Sequence, residues 1–267
     1  MLPMPLYVDA VGARVAFDAI GHGPDLVFLH AGIADRSMWA PQLEAFSTRF
    51  RCIAPDLRGF GETPVGSEPY SRRDDVLAIL DDLGVASAAI VGCSLGGAVA
   101  LDLAVEYPNR VDKIVLVGVA PPGLDYASDP FLEDLGRAHQ EAICNGDHRE
   151  VGRIVARAYL DGPRRPEGSS PEWLREQVIE WSLAISQIDD WGEHVELDPP
   201  ASQRLEEVRT ATLVIVGAED IDSVLEGCRT VAAEIPEAAL VELAGAAHLP
   251  NLERRAEFDS VLTAFLS

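Results

Sequence analysis

Ser94 stands at the centre of a Gly-x-Ser-x-Gly pentapeptide that runs from Gly92 to Gly96. The apolar run 88–91 before it is typical of a buried strand, and the run 97–104 after it is typical of a helix. A serine on the sharp turn between a strand and a helix exposes its hydroxyl, and the glycines let the helix approach the strand. This placement predicts a nucleophilic serine, with a glycine-rich packing turn as the alternative.

A serine hydroxyl is a poor nucleophile near neutral pH unless a histidine takes its proton and an acid orients that histidine. Asp220 follows the strand-like run 213–216, at the sheet edge where ligand chemistry concentrates in open parallel sheets. His248 follows the next strand-like run, 240–243. The sequence therefore predicts a catalytic triad of Ser94, Asp220 and His248, in a chain order that differs from those of chymotrypsin and subtilisin.

Two other acids flank the predicted one, and five other histidines occur in the chain. Glu219 and Asp222 are the alternative acids, and the spacing after Gly217 favours Asp220. His30 is interpreted as a hydrogen-bonding residue near the site rather than as a base. The remaining histidines are interpreted as turn or surface residues: His22, His139, His148 and His194.

The negative oxygen of a tetrahedral intermediate needs two backbone N–H groups aimed at it. Leu95 follows the nucleophile and supplies one donor. The loop after the strand-like run 26–29 supplies the other, with Gly32 preferred and Ile33, one residue on, as the alternative. Apolar neighbours of these positions are expected to line the substrate pocket: Ile33, Leu95, Ile221 and Leu249.

The composition limits the class of protein. A chain of 267 residues can form one large α/β domain with an insertion. Its 44 acidic and 21 basic side chains give a formal net charge of −23, which repels nucleic acids and anionic membrane surfaces. The four scattered cysteines indicate no disulfide framework, and neither a leader segment nor a membrane-spanning run is apparent. We expect a cytoplasmic protein without nucleic-acid or membrane partners, and a homo-oligomer remains open.

Apolar runs alternate with helical patterns up to residue 121, which predicts a mostly parallel, doubly wound α/β sheet. Residues 122–204 are helical in pattern, with Trp173, Trp181 and Trp191 expected as core anchors. We therefore expect a core of residues 1–121 and 205–267 and a helical insertion over 122–204. The predicted strands cover 14–18, 26–29, 52–54, 88–91, 114–119, 212–216 and 240–243, and the predicted helices 38–46, 71–83, 97–104 and 223–235.

Further segments share the residue types of one known superfamily: His30 to Gly32 with Met38-Trp39, Asp56 to Gly61, and Gly245 to His248. With the serine pentapeptide, they make the chain resemble the α/β-hydrolase superfamily over nearly its whole length. The resemblance implies the α/β-hydrolase fold with a helical cap inserted after the sixth core strand. It also implies a structural role, the holding of a turn, for Asp56, Arg58, Gly59 and Gly61.

Within that superfamily the chain is similar to 3-oxoadipate enol-lactonases and related small carboxylesterases. Its serine differs from the aspartate nucleophile of haloalkane dehalogenases and epoxide hydrolases. Many members have His-Gly where this chain has His30-Ala31, and alanine restricts the backbone there. No cofactor is implied, and we expect no metal because His139, Cys144 and His148 lack a fourth ligand nearby.

These residues lead to one functional hypothesis and two alternatives. We expect a serine esterase or lactonase that acts on a small molecule through an acyl-enzyme. The nearby alternative is hydrolysis of a carbon–carbon bond in vinylogous diketone products of ring cleavage, which uses the same triad. The alternative of another class is a ligand receptor on a hydrolase scaffold, in which turnover is slow.

Overall fold

The computed structural model describes residues 4–127 and 129–267. The strands in those residues are β1 (Leu6–Ala10), β2 (Ala13–Gly21), β3 (Asp25–Leu29), β4 (Arg51–Pro55), β5 (Ala88–Cys93), β6 (Val111–Val117), β7 (Ala211–Gly217) and β8 (Ala239–Leu243). They form one sheet in the order β1-β2-β4-β3-β5-β6-β7-β8. β2 pairs antiparallel with β1 and β4, and the other pairs are parallel. The predicted mostly parallel α/β sheet is confirmed.

The predicted strands all occur, but β1 was missed. Only Val8 of this strand is buried, because β1 lies at one edge of the sheet and pairs with β2 alone. A five-residue strand with one buried side chain has too little hydrophobic alternation to be recognised in the sequence.

The side chains of the sheet alternate between two apolar layers, because successive residues of a strand point to opposite faces. In β3, Val27 and Leu29 pack on one face, whereas Leu26 and Phe28 pack on the other. Helices cover both layers, so the central strands are buried on both sides, as expected for parallel strands. A sheet packed this tightly provides rigid ends from which functional side chains can project.

The helices of the described chain are α1 (Ala40–Phe46), α2 (Arg72–Asp82), α3 (Leu95–Glu106), α4 (Pro130–Cys144), α5 (His148–Ala156), α6 (Glu172–Ile185), α7 (Asp222–Glu234), α8 (Pro250–Glu253) and α9 (Arg255–Leu266). A π-helical turn over Arg157–Asp161 continues α5. α4, α5 and α6 lie between β6 and β7 in the chain, so the segment predicted as helical is helical. Its interpretation as a cap domain over 122–204 stays a prediction.

The tryptophans of this segment do not share one environment. Trp181 is buried, and its Nε1 donates to Ser37 Oγ at 3.1 Å. Trp191 packs on Phe60 with ring centroids 5.3 Å apart. Trp173, however, is 60% exposed, so the expectation that it anchors a core was wrong.

The segment from Asp56 to Gly61 forms a tightly bonded turn after β4. The Asp56 carboxylate accepts the backbone N–H groups of Arg36 at 2.9 Å and Glu62 at 2.8 Å, and burial raises its pKa to about 6. Arg58, also buried, donates its Nε to Asp75 at 2.9 Å. A β-carbon on Gly61 would overlap the Asp56 carboxylate. These contacts match the structural role that the resemblance implies.

The described residues contain no helix that is both long and apolar enough to cross a membrane. All four cysteines are free, and three of them are buried. The cytoplasmic location stays a prediction.

Candidate active site

Ser94 occupies the turn between β5 and α3. Its backbone has φ 50° and ψ −111°, and only one other non-glycine residue of the described chain, Glu237, has a positive φ. A non-glycine residue in such a conformation costs of the order of 1–3 kcal/mol and persists only where its surroundings impose it. Here the Ser94 N–H donates to Val117 O at 2.8 Å, and the side chain is partly exposed.

The two glycines of the pentapeptide are required by close backbone contacts. A β-carbon on Gly92 would overlap the carbonyl oxygen of Gly96, and one on Gly96 would overlap that of Leu29. The Gly96 N–H donates to His30 O at 3.1 Å, which joins the start of α3 to the loop after β3. The turn is therefore the strand-to-helix junction that the pentapeptide predicts.

Asp220 and His248, which are 28 positions apart in the chain, form a buried pair beyond the carboxyl ends of β7 and β8. His248 Nδ1 lies 2.8 Å from Asp220 Oδ2, and each residue is 1% exposed. The second oxygen, Asp220 Oδ1, accepts the backbone N–H of Ile221 at 2.9 Å. Both carboxylate oxygens are thus bonded, which fixes the acid in one orientation.

The alternative acids lie elsewhere. Asp222 begins α7, is largely exposed and pairs with Arg164. Glu219 donates its backbone N–H to Ala246 O at 2.9 Å, and its side chain has no hydrogen bond to His248 among the described residues. Of the three candidate acids, Asp220 is therefore the one whose carboxylate contacts the imidazole of His248.

Backbone contacts bring the serine turn to this pair. Cys93, which precedes Ser94, has its Sγ 3.7 Å from His248 O. Val117, which accepts the Ser94 N–H, is followed by Gly118, and a β-carbon on Gly118 would lie 3.3 Å from His248 Nδ1. The end of β5 therefore adjoins the backbone of His248, and the residue after β6 adjoins its imidazole.

The predicted oxyanion residues adjoin each other. A β-carbon on Gly32 would lie 3.5 Å from the Leu95 β-carbon, so the loop after β3 contacts the first residue of α3. The N–H of Leu95 is at the helix N-terminus, where no intrahelical acceptor exists. The Ala31 N–H is taken by Met38 Sδ at 3.3 Å, which leaves Gly32 and Ile33 as the candidate donors of this loop. Ala31 is absent from the residues with positive φ, so alanine fits there without strain.

His30 is buried and links the loop after β3 to the segment after β4. Its Nε2 accepts the Leu57 N–H at 2.9 Å, and its Nδ1 donates to Ala31 O at 2.8 Å. Burial lowers the pKa of His30 to about 4, so the imidazole is neutral near pH 7. Both ring nitrogens are occupied by backbone partners, which fits a supporting residue rather than a base.

A cavity of about 370 Å³ opens beside Gly32 and Ile33, and residues of helices α4, α5 and α6 line it. Most of its side chains are apolar, with His139, Ser182, Ser186 and Asp189 as the polar exceptions. Its apolar side chains are Ile33, Ile143, Val151, Val155, Ile185, Ile188 and Trp191.

Not all predicted pocket residues reach this cavity. Ile33 borders it, whereas Leu95 borders a smaller cavity of about 90 Å³ along α3. Ile221 and Leu249 are 3% and 0% exposed and belong to the two apolar layers of the sheet. Neither residue borders the cavity of about 370 Å³, and their place in a substrate pocket stays a prediction.

Sequence reasoning missed the residues that contact the His248 loop. Tyr159 accepts the His248 N–H on its carbonyl at 3.1 Å, and Glu253 bonds to backbone N–H groups on both sides of His248. Tyr159 lies in the helical segment, where no pattern singles it out. Glu253 is a charged residue within a helical pattern, and such a residue is expected to be exposed to solvent.

No group of three or more His, Cys, Asp or Glu side chains within residues 4–127 and 129–267 has the arrangement to hold a metal ion.

Comparison with known proteins gives a consistent result. Residues 24–255 match the family model described as alpha/beta hydrolase fold. The chain is 25% identical to pimeloyl-[acyl-carrier protein] methyl ester esterase of Nitrosomonas europaea, over 94% of this chain and 99% of that protein. It is 29% identical to 2-hydroxymuconate semialdehyde hydrolase of Pseudomonas sp. strain CF600, over 97% and 93%. The solved enol-lactonase of Burkholderia xenovorans LB400 has the same fold, with a TM-score of 0.75, 23% identity and coverage of 98% and 99%.

Proposed function

The chain belongs to the α/β-hydrolase family, and we propose that it is a serine hydrolase that cleaves a carboxylic ester or lactone of a small molecule. The observation that carries the proposal is the 2.8 Å contact between His248 Nδ1 and Asp220 Oδ2, next to the turn of Ser94. When the Nδ1–H group of His248 donates to Asp220, the Nε2 lone pair of the neutral imidazole is free to act as a base.

In the proposed reaction, Ser94 Oγ attacks the carbonyl carbon while His248 Nε2 takes the hydroxyl proton. The N–H groups of Gly32 and Leu95 stabilise the negative oxygen of the tetrahedral intermediate. His248 then gives the proton to the leaving alcohol, which leaves the acyl group on Ser94. A water molecule repeats the two steps and releases the acid, and Asp220 stabilises the imidazolium throughout.

The substrate class is proposed from the cavity and from the relatives. The cavity of about 370 Å³ borders the oxyanion loop at Gly32 and is mainly apolar, which suits a small acyl group. The Nitrosomonas relative is named as a methyl ester esterase. We propose that residues 122–204 form the cap that closes this cavity over the core.

A second candidate is hydrolysis of a carbon–carbon bond in a vinylogous diketone. The relative that is 29% identical, named as a 2-hydroxymuconate semialdehyde hydrolase, is the observation in its favour. The same serine, histidine and aspartate would serve either reaction, so the substrate must decide between them.

The test is a rate panel on the purified protein. The substrates are aryl esters of increasing acyl length, an enol-lactone and a vinylogous diketone, with Ser94→Ala as the control. Multiple turnover of an ester or the lactone that is lost in Ser94→Ala supports the proposal. Turnover of the diketone alone favours the second candidate, single slow turnover favours a receptor, and an unchanged rate in Ser94→Ala rejects Ser94 as the nucleophile.

A further inference from the structure

The connector between α5 and α6, residues 157–171, contacts the loops that carry both His248 and Asp220. It begins with the π-helical turn Arg157–Asp161. In that turn the carbonyl of Tyr159 accepts the His248 N–H at 3.1 Å, and the two rings lie with centroids 4.8 Å apart. The connector therefore touches the proposed base through its backbone and its ring.

Glu253, in α8, binds the same loop from the other side. Its Oε1 accepts the N–H groups of Ala247 at 2.9 Å and Leu249 at 3.2 Å, the two residues that flank His248. The Glu253 side chain is 2% exposed, and burial raises its pKa to about 7, an effect that Arg165 opposes. One buried carboxylate thus fixes both peptide groups adjacent to the imidazole.

Arg165 joins the connector to Glu253. Its Nη2 lies 2.7 Å from Glu253 Oε2, and the same guanidinium donates to the carbonyls of Asp161 at 3.1 Å and Gly245 at 3.4 Å. It also donates to the carbonyl of Leu160. The guanidinium therefore connects three segments: the π-helical turn, the loop before His248 and α8.

The same connector also contacts the loop of the acid. Arg164 donates to the carbonyl of Asp220 and pairs with the carboxylate of Asp222. Gly162 has φ 68°, and a β-carbon there would overlap the carbonyl of Glu219. Arg164 and Arg165 are adjacent in sequence, yet Arg164 reaches the loop of Asp220 and Arg165 reaches the loop of His248.

Asp161 makes the connector rigid. This fully buried carboxylate accepts the N–H groups of Gly168 at 2.9 Å and Ser170 at 3.1 Å, together with the Ser170 hydroxyl at 2.7 Å. It also receives Arg175 of α6 on both oxygens, at 2.6 and 2.8 Å. The hydrogen bonds of Asp161 thus fix the conformation of the connector and attach it to α6.

From these contacts we propose that Arg165 and Glu253 are positioning residues, which hold the His248 loop against the connector and so keep the imidazole on Asp220. The inference rests on the proposed function, because it assigns the loop a task in that reaction. Neither side chain is proposed to touch the substrate or the reacting atoms.

A positioning role affects the chemical step more than substrate binding. Displacement of a reacting group by about 1 Å can cost about 100-fold in rate, whereas the cavity walls that bind the acyl group are unchanged. Removal of the Arg165 charge leaves Glu253 without its cationic partner, and the loop around His248 keeps its contact with Tyr159 but loses the contacts that Arg165 makes between the connector, Gly245 and α8. We therefore expect kcat to fall while KM stays close to its original value.

The experiment compares Arg165→Met, Arg165→Lys and Glu253→Gln in the full chain. Arg165→Met leaves the buried Glu253 carboxylate without its cation, whereas Glu253→Gln is nearly isosteric and neutral, so the second variant is expected to fold even if the first is less stable. The matched control is Glu257→Gln, which removes the carboxylate of an exposed Arg254–Glu257 pair in the same part of the chain. Each variant is measured for kcat and KM on an aryl ester, for its thermal midpoint, and for the downfield proton NMR resonance of His248 Nδ1–H.

We expect Arg165→Met to lower kcat by about 10- to 100-fold with KM unchanged within about threefold, and to shift or broaden the Nδ1–H resonance. Arg165→Lys, which keeps the charge but not the fork of donors that reaches three carbonyls, should fall between Arg165→Met and the wild type, and Glu257→Gln should match the wild type. A kcat within about twofold of wild type in Arg165→Met, or a wild-type resonance in that variant, overturns the proposal. If the wild type hydrolyses no ester at all, the proposed function fails, and the resonance still tests the positioning separately.

Discussion

The α-carbon of Gly118 faces the imidazole of His248 so closely that a β-carbon at position 118 would lie 3.3 Å from Nδ1. The same β-carbon would lie 3.5 Å from Asp220 Oδ2. Gly118 follows β6, and its N–H donates to Ile215 O in β7 at 2.8 Å, so its backbone has little freedom to retreat. The hydrogen bond between His248 and Asp220 thus lies against a backbone position that has no side chain.

Gly118→Ala is expected to lower kcat by about 10-fold or more, because the new methyl group displaces the His248–Asp220 pair. The substitution also costs stability, since Gly118 has φ 54°. The matched control is Gly146→Ala, where φ is 68° but no atom lies within 4 Å of the added carbon. Both variants should lose stability, and only Gly118→Ala should lose activity. Equal activity in the two would contradict the contact.

Asp220→Asn is expected to reduce kcat by about 10⁴-fold, because an amide favours the wrong imidazole tautomer and cannot stabilise the imidazolium. Glu226→Gln is the control, since Glu226 is exposed on α7. Steady-state kinetics on an aryl ester measure both. A near-normal rate in Asp220→Asn would reject Asp220 as the acid.

Replacement of Gly32 tests the oxyanion donor. Gly32→Pro removes the N–H group, and loss of one such donor typically costs about 10²- to 10³-fold in kcat. Gly32→Ala retains the N–H, and its β-carbon would make only an ordinary contact of 3.5 Å with Leu95. We expect the alanine variant to remain active and the proline variant to be slow, with both folded by circular dichroism. Comparable rates in the two would transfer the role to Ile33.

His30 should make stability depend on pH in a defined direction. Its folded-state pKa of about 4 lies below the unfolded value near 6.5, so the unfolded chain binds more protons between these values. Stability from this residue is therefore present above pH 6.5 and is lost as pH falls to 4, by ~3 kcal/mol. Urea unfolding of wild type and His30→Gln from pH 7 to pH 4 measures it, and the contributions of Asp56 and Glu253 cancel in the difference. The advantage of wild type should shrink on acidification, and a constant difference would refute the assignment.

Filling the cavity beside Gly32 should discriminate between substrates. Val155→Trp adds bulk to the cavity of about 370 Å³ and is expected to raise KM for long-chain esters by about 10-fold, with little effect on acetyl esters. Val195→Trp is the control, because Val195 is 44% exposed and lies outside this cavity. A uniform effect across chain lengths would place the acyl group elsewhere.

The sequence predicted the serine turn because its requirements are local. Gly92 and Gly96 are the residues whose side chains would collide, and the strand and helix around Ser94 have strong apolar patterns. The pairing of Asp220 with His248 followed from strand order, since both residues come directly after parallel strands. The α/β-hydrolase fold, which the alternation of strands and helices also predicts, is confirmed by the sheet and by the family match.

The environment of the site depends on packing that no local pattern expresses. Ile221 and Leu249 adjoin Asp220 and His248 in sequence, yet both pack in the apolar layers of the sheet, so sequence adjacency alone does not predict which side chains border the cavity beside Gly32. The buried Glu253 side chain pairs with Arg165, 88 positions away, and only the tertiary structure reveals such a partner.

The sheet order has a consequence for synthesis on the ribosome. β5 lies between β3 and β6, so the nucleophile strand and both its neighbours have emerged well before β7. Asp220 follows β7, and His248 follows β8. A nascent or truncated chain that ends before β7 carries the serine turn with neither acid nor base. In the proposed enzyme, hydrolytic activity therefore begins only after β7, β8 and the loops that follow them have been translated, and a product that ends before β7 is inactive.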